Sequence, residues 1–374
     1  MAEVWLPTID IDVSTLVELE PFQRLAATRM MDEIRILADN NENNGNVEAW
    51  QPWALNQKAF VDVSSIDTST TVLGHRIELP VMVAPFSVQA FCHPDAELAT
   101  AEGARRAGTM MALSLATSRS PAEVGAVSGP FWMHQQFIED RELMLDIITE
   151  AKEGGATAVA LTVDLPITMW WPAAERAAML AISAHWPGYF TDRFAAATER
   201  LAREGARVRR DDWSWDNRPI GSSATWADFE WLRDASPLPI VLKGILNAED
   251  ARLAVEHGAA GIIVSNHGGH GLAQARPTAE ALPEIVEAVD GRIEVLVDGG
   301  IRDAADVYRA VAMGARAVLI GRRALWGLVL GGADGVARVL QLFHDELEVL
   351  MGMTGARTVA EIDRSRIVRR YSRW

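Results

Sequence analysis

An α/β fold of eight parallel strands, each followed by a helix, is predicted by three features of the sequence. Short β-branched apolar runs recur eight times along 374 residues, each ends in polar or small residues, and each leads into a stretch rich in Ala, Glu and Leu. Eight such units joined by right-handed crossovers close most simply into a (β/α)8 TIM barrel. The chain is read as a single domain over 1–374, with an N-terminal extension (1–78) and a long insertion after strand four (165–237).

The strands are read at 79–86 (LPVMVAPF), 109–116 (TMMALSLA), 130–137 (PFWMHQQF) and 156–164 (ATAVALTVD), then at 238–244 (LPIVLKG), 261–266 (GIIVSN), 293–300 (IEVLVDGG) and 315–321 (ARAVLIG). Their apolar character is continuous rather than alternating, as expected of parallel strands covered on both faces. The helical stretches include DAELATAEGARRAG, DRELMLDIITEAKEGG, NAEDARLAVEHG and DAADVYRAVAMG, each opening on Asp or Asn in N-cap position and closing on Gly. Spacing is regular except at 165–237. That insertion holds much of the chain's tryptophan, and its length suits a cover over the mouth of the barrel better than a connection. A surface insertion without a binding role is the alternative. In the extension, NNENNGN (40–46) reads as an exposed turn.

The net charge of −16 argues against nucleic-acid or anionic-membrane binding, which needs a basic patch. Hydrophobic residues make up 49%, enough for a large core. Cys92 stands alone, so neither an intramolecular disulfide nor a cysteine-built metal site can form, and a reducing cytoplasm is the simplest setting. The opening MAEVWLPTIDID lacks the pattern of a secretory signal, and no run is long and apolar enough to span a bilayer. A soluble protein is expected.

Catalytic groups of such barrels sit at the C-terminal strand ends. Read off in order, these carry Pro85 to Gln89, Ser114, His134, Gln136, Thr162, Asp164, Lys243, Ser265 to His267, Asp298 to Arg302, and Gly321 with Arg322. The glycines of VDGGIRD and IGRR let backbone N–H groups approach a phosphate, and Arg302 and Arg322 offer fork geometry, so a phosphorylated ligand is expected; plain turns are the alternative. Lys243 closes an apolar strand and needs an anionic partner there, such as a reduced flavin or a nearby carboxylate. His267, within SNHGGHG, is accessible between glycines, and Asp164 could orient it as a general base. An uninvolved loop histidine is the alternative.

These residues resemble the FMN-dependent 2-hydroxy acid oxidases and dehydrogenases, the family of glycolate oxidase, lactate oxidase, mandelate dehydrogenase and lactate 2-monooxygenase. The resemblance runs from about Val47 to the C-terminus through APFSVQAFCHPDAELATAEGARRAGT, ALTVDLP, LPIVLKGILNAEDARLAVEHGAAGIIVSNHGG and VLVDGGIRDAADVYRAVAMGARAVLIGR. It implies FMN as cofactor, lined by Ala84, Pro85 and Ser114, with Thr162 and Ser265 nearby and Lys243 at the N1–C2=O edge of the reduced ring. Asp298, Gly300, Arg302, Gly321 and Arg322 would hold the ribityl phosphate. The His267 position would take the substrate proton while two electrons pass to flavin N5, and the Asp164 position would stabilise the imidazolium.

Departures fall at the substrate. The family's usual SNHGGRQLD, whose arginine clamps a carboxylate, reads SNHGGHGLA with His270; the tyrosine of Q-x-Y after strand three is replaced within His134-Gln135-Gln136; the usual arginine pair after strand four is Trp170 and Trp171. The usual tyrosine-containing N-terminal stretch is missing too. An imidazole cannot copy a guanidinium fork, and losing several charge-assisted hydrogen bonds of about 1.5–3 kcal/mol each would weaken an ordinary small 2-hydroxy carboxylate. Arg276 is a candidate substitute.

The expected substrate is therefore altered, bulkier or aromatic, touched by His270, His134, Gln136 and Trp171, and oxidised at a hydroxyl-bearing carbon in specialised biosynthesis. O2 or another acceptor would reoxidise the flavin, and the resemblance implies a homo-oligomer, commonly a tetramer. The alternatives are a monooxygenase or oxidative decarboxylase like lactate 2-monooxygenase, oxidation of an amine, and a non-catalytic flavin-binding barrel.

Overall fold

A computed structural model describes residues 11–39, 44–138, 140–166, 173–183, 188–189, 193 and 223–370. Eight parallel strands form one sheet. They are β1 (Val81–Val83), β2 (Ala112–Leu113), β3 (Phe131–Gln136), β4 (Ala156–Thr162), β5 (Ile240–Ile245), β6 (Gly261–Val264), β7 (Glu294–Asp298) and β8 (Val318–Ile320). Consecutive strands pair throughout β2 to β8, β8 pairs with β1, and a parallel bridge between Val83 and Met111 closes the ring. Every strand lies within or at the edge of an apolar run in the sequence, since burial on both faces is a local demand on composition.

Inside the ring, Trp132 packs among Ala112, Ala158, Ala160 and Ala317, with Met82, Val241, Ile263, Leu296 and Leu319 around it. One large indole thus fills a space that four alanines leave, the large–small alternation a small barrel needs to pack without voids. An antiparallel ribbon, Thr70–Val72 with His75–Ile77, adds Val72 and Ile77 to this interior, and Leu73 N–H donates to Glu294 at the start of β7 (3.0 Å). The ribbon therefore plugs the end of the barrel opposite the strand C-termini.

The helices are α1 (Glu20–Ala27), α2 (Asp32–Asp39), α3 (Ala96–Arg106), α4 (Pro121–Val127), α5 (Arg141–Glu153) and α6 (Ala173–Ser183). They continue as α7 (Trp226–Ala235), α8 (Ala248–Glu256), α9 (Thr278–Val289), α10 (Ala304–Ala312) and α11 (Arg322–Thr354). Asp140, Asn247 and Asp303 cap α5, α8 and α10 by accepting backbone N–H bonds, as their positions predict. Asp95 does not cap α3; its backbone is already helical, which turns its carboxylate away from the first turn's donors. Two helices from outside the repeating units, α2 and α6, pack on one another at the mouth of the barrel.

Candidate active site

A cavity of about 270 Å³ opens at the C-terminal strand ends. It is bounded below by Ala84, Ser114, His134, Gln136, Lys243 and Asp298, at one end by Gly299 to Arg302 with Gly321 and Arg322, and above by Ile34, Leu37, Ala38, Leu165 and Met179. Among the residues singled out in the sequence, Ala84, Pro85, Ser114, His134, Gln136, Lys243, His267, His270, Asp298, Gly300, Arg302, Gly321 and Arg322 line it. Thr162, Ser265 and Asp164 stand one layer back. Trp171 lies outside the described residues.

His267 is aimed by an unusual turn. Its own φ is +56°, followed by +63° at Gly268 and +85° at Gly269. A left-handed histidine costs free energy, of order 1–3 kcal/mol when the surroundings impose it, and here Ser265 Oγ holds the His267 N–H (3.1 Å). The ring's Nδ1 lies 3.4 Å from Asp164 Oδ1. An Nδ1–H directed at a carboxylate leaves Nε2 as the basic nitrogen. Burial alone would raise the Asp164 carboxyl, but His267 and Lys243 outweigh it and hold it below the ordinary value, so Asp164 remains an anion that can balance an imidazolium.

Gly244 makes this pair possible, and sequence reading passed over it. Its φ is +116°, and a Cβ there would stand 2.6 Å from Asp164 Cβ and Cγ. Only glycine lets β5 bulge past the carboxylate.

Lys243 is 3% exposed, within 3.1 Å of Asp298 Oδ2, and donates to Ser265 Oγ (2.9 Å). The carboxylate partner weighed in the sequence is thus present. Asp298 Oδ1, also buried, has no hydrogen-bond partner. His134 accepts at Nδ1 from Leu115 N–H (3.3 Å), so Nε2 carries the proton and donates to Thr162 Oγ1 (2.8 Å). Thr162 therefore positions His134 and does not itself face the cavity.

The glycine pair after β7 serves a second purpose. A Cβ at Gly300 would stand 2.2 Å from the Asn46 carbonyl oxygen, and one at Gly299 would press on Thr278 Oγ1 (2.9 Å) and Asn46 Nδ2 (3.0 Å). Asn46 is buried and exchanges two hydrogen bonds with Asn266 (2.8 and 2.9 Å), accepts one from Thr278 N–H (3.1 Å), and is followed by Trp50, whose Nε1 donates to Gly299 O (3.1 Å). Of the polar run at 40–46, residues 40–43 lie outside the described residues, but its end is not simply an exposed turn. Its last residue is stapled between the loops after β6 and β7, because each amide group finds a complementary partner there.

Two side chains reach the C-terminal end of α2: Arg322 Nε donates to Ala38 O (2.7 Å), and His270 Nε2 stands 3.4 Å from Leu37 O. His270 Nδ1 lies 2.8 Å from His267 O. Burial, then Arg322 and His267, push the His270 pKa down to about 4. Arg276 does not reach the cavity. It pairs with Glu284 (2.6 Å) and donates to Glu280 O, which corrects its reading as a substitute clamp.

The residues fit FMN. Arg302, Arg322 and the N-terminus of the 33-residue helix α11, which has no side-chain cap, converge on one end of the cavity as phosphate donors. The orphaned Asp298 Oδ1 is an acceptor suited to a ribityl hydroxyl, and Lys243 is a buried cation that a flavin ring would meet. No group of three or more metal-ligating side chains occurs among the described residues.

The FMN-dependent dehydrogenase family model matches residues 34–369. Glycolate oxidase 3 of Arabidopsis thaliana is 39% identical over 332 residues, 86% of either chain. L-lactate oxidase of Nostoc sp. is 37% identical over 364 residues, 94% of this chain and 98% of that protein. The crystal structure of mandelate oxidase with (S)-4-hydroxymandelic acid superposes with a TM-score of 0.79 at 33% identity, covering 94% of this chain and 98% of the other.

Proposed function

Because the chain belongs to the FMN-dependent dehydrogenase family, we propose that it oxidises the CH–OH carbon of a 2-hydroxy acid-like substrate, with His267 as the base. The observation that carries this reading is the His267–Asp164 pair at the wall of a cavity whose far end gathers Arg302, Arg322 and a helix N-terminus. When bound, FMN supplies a two-electron acceptor. The chain's residues do the rest.

Arg302, Arg322 and the first turn of α11 would hold the phosphate, and Ala84, Pro85 and Ser114 would line the ring. Lys243 sets a positive charge beside it, shared with Asp298, which favours build-up of negative charge at that edge. His267 Nε2 accepts the hydroxyl proton, and Asp164, held anionic, stabilises the imidazolium that results. Ile34, Leu37, Leu165 and Met179 exclude water and offer an apolar wall. The part of 165–237 carrying α6 acts with α2 as the cover. O2 or another acceptor would take the electrons finally, and the single cysteine fits residence in the reducing cytoplasm. No described helix is long and apolar enough to cross a membrane.

An anaerobic panel of hydroxy acids, their amides and esters, alcohols and amines tests the reading. The true substrate bleaches the yellow flavin, and His267→Ala retains FMN while losing at least 10³-fold in that rate. A panel in which nothing bleaches, or a His267→Ala enzyme as fast as the parent, overturns it. Product analysis separates oxidation from oxygen insertion, since the latter yields a shortened acid without hydrogen peroxide.

A further inference from the structure

His270 occupies the place where the resemblance puts a carboxylate-gripping arginine, and its surroundings define a different complement. Its Nδ1 is 2.8 Å from a carbonyl oxygen, His267 O. Two acceptors do not rest at that distance, so Nδ1 carries the proton and donates. Buried beside Arg322 and His267, the ring is neutral near pH 7 and holds one proton only. Its Nε2 is then a lone pair facing Leu37 O at 3.4 Å. Where a fork of donors would stand, two acceptors stand instead.

The charges of the cavity point the same way. Lys243 is matched by Asp298 (3.1 Å). Asp164 balances His267 once that ring takes a proton. Arg302 and Arg322 flank the phosphate end, and a phosphate monoester carries about −1.5 to −2 charges at pH 7, enough to match both. Arg276 is committed to Glu284 outside the cavity. With FMN bound, a substrate carboxylate would therefore add an anion where every cation of the described wall would have a counter-charge, and it would turn its oxygens toward the Nε2 and Leu37 O lone pairs. Desolvating an unpaired anion is costly.

Resting on the CH–OH oxidation proposed above, we infer that the substrate is a 2-hydroxy amide rather than a free 2-hydroxy acid: a neutral group whose N–H hydrogens meet His270 Nε2 and Leu37 O, with an apolar substituent against Ile34, Leu165 and Met179. An ester is neutral but has no hydrogen to donate, so the lone pairs select the amide. The reaction breaks the carbinol C–H and O–H bonds and forms a ketone. The hydroxyl proton goes to His267, the two electrons and the second hydrogen go to FMN, and reoxidation by dioxygen releases hydrogen peroxide. The product is a 2-oxo amide.

The test compares mandelamide, methyl mandelate and mandelate on the holoenzyme, by anaerobic flavin bleaching and by steady-state kcat/KM. In parallel, the 2-oxo products phenylglyoxylamide and phenylglyoxylate are titrated against the flavin absorbance to give Kd values without turnover. The amide is expected to exceed the acid at least 30-fold in kcat/KM and to exceed the ester, with its oxo product binding more tightly than the oxo acid. His270→Arg is expected to shift the amide-to-acid ratio at least tenfold toward the acid. An acid that outruns the amide in the parent enzyme overturns the inference and leaves CH–OH oxidation standing. So does an unchanged ratio in a folded, flavin-loaded His270→Arg, or bleaching by other hydroxy compounds but not by the amide. Only a panel in which nothing bleaches removes the underlying reading as well.

Discussion

Replacing Gly244 with alanine puts a methyl group into the contact that positions the His267–Asp164 pair proposed to be catalytic. The new Cβ would lie 2.6 Å from Asp164 Cβ and Cγ, and ordinary contact begins near 3.4 Å, so the two strand ends must separate by about 0.8 Å. The obstacle includes Cβ, next to the Asp164 backbone, so a rotamer change cannot relieve it. Alanine at φ +116° adds backbone strain of about 1–3 kcal/mol, and overpacking adds about 1–3 kcal/mol more. With unfolding entropy near 2.1 cal/mol/K per residue over 374 residues, each kcal/mol moves Tm by about 1.3 °C, so a fall of roughly 3–8 °C is expected. The effect on rate should be larger. His267 Nδ1 and Asp164 Oδ1 are already 3.4 Å apart, and a shift approaching 1 Å at a reacting geometry costs on the order of 10²-fold. Stopped-flow flavin reduction and thermal unfolding measure the two effects. Gly74→Ala is the control: φ is +83° but nothing lies within 4 Å of its Cβ, so it should lose only about 1–4 °C and no activity. A Gly244→Ala enzyme that reduces its flavin within threefold of the parent rate, and melts no lower than Gly74→Ala, would refute the reasoning.

Four further outcomes follow from the same geometry. The His270 pKa, depressed to about 4 from 6.5, contributes stability that is present above pH 6.5 and lost as pH falls through about 4. At most about 3 kcal/mol is involved, so Tm should fall more steeply from pH 7 to pH 4 in the parent than in His270→Gln; equal slopes would contradict the neutral buried ring. Lys243→Met strands the Asp298 carboxylate, at a cost of about 3–5 kcal/mol, and should weaken FMN retention on dialysis, whereas adding Asp298→Asn should restore part of the lost Tm. Asn46→Ala leaves the buried Asn266 amide without its reciprocal partner and should cost about 2–4 kcal/mol, read as a lower Tm; an unchanged Tm would remove the staple from the account. Arg322→Ala should raise the FMN Kd about 10- to 150-fold and flatten its salt dependence, measured by fluorescence titration.

The covering of the mouth is built from segments far apart in the chain. α2 contributes Ile34, Leu37 and Ala38, and α6 contributes Met179. Arg322 and His270, both at the ends of barrel strands, reach α2 through its last carbonyls. The resemblance places a tyrosine-bearing stretch in the N-terminal extension and an arginine at His270. Here His270 stands against the end of α2, whose Ile34, Leu37 and Ala38 line the cavity with apolar side chains.

Barrel strands, most helix caps and the residues ringing the strand ends were legible in the sequence, because each depends on local pattern. A strand buried on both faces must be apolar throughout, Asp140, Asn247 and Asp303 precede the N–H groups they cap, and polar residues that end apolar strands have only the rim to occupy. Once strands four and six were placed, Asp164 and His267 had to share that rim. Tertiary structure alone decided the rest. Asn46 is joined to Asn266 across 220 positions, and nothing in NNENNGN distinguishes its last asparagine from the others. Gly244 looks like any strand-end glycine until Asp164 is seen against it. Whether Lys243 met a carboxylate, whether Arg276 turned inward, and whether His270 held a charge each depended on which groups desolvate and face the side chain. Those are properties of packing between distant segments, and no window of sequence contains them.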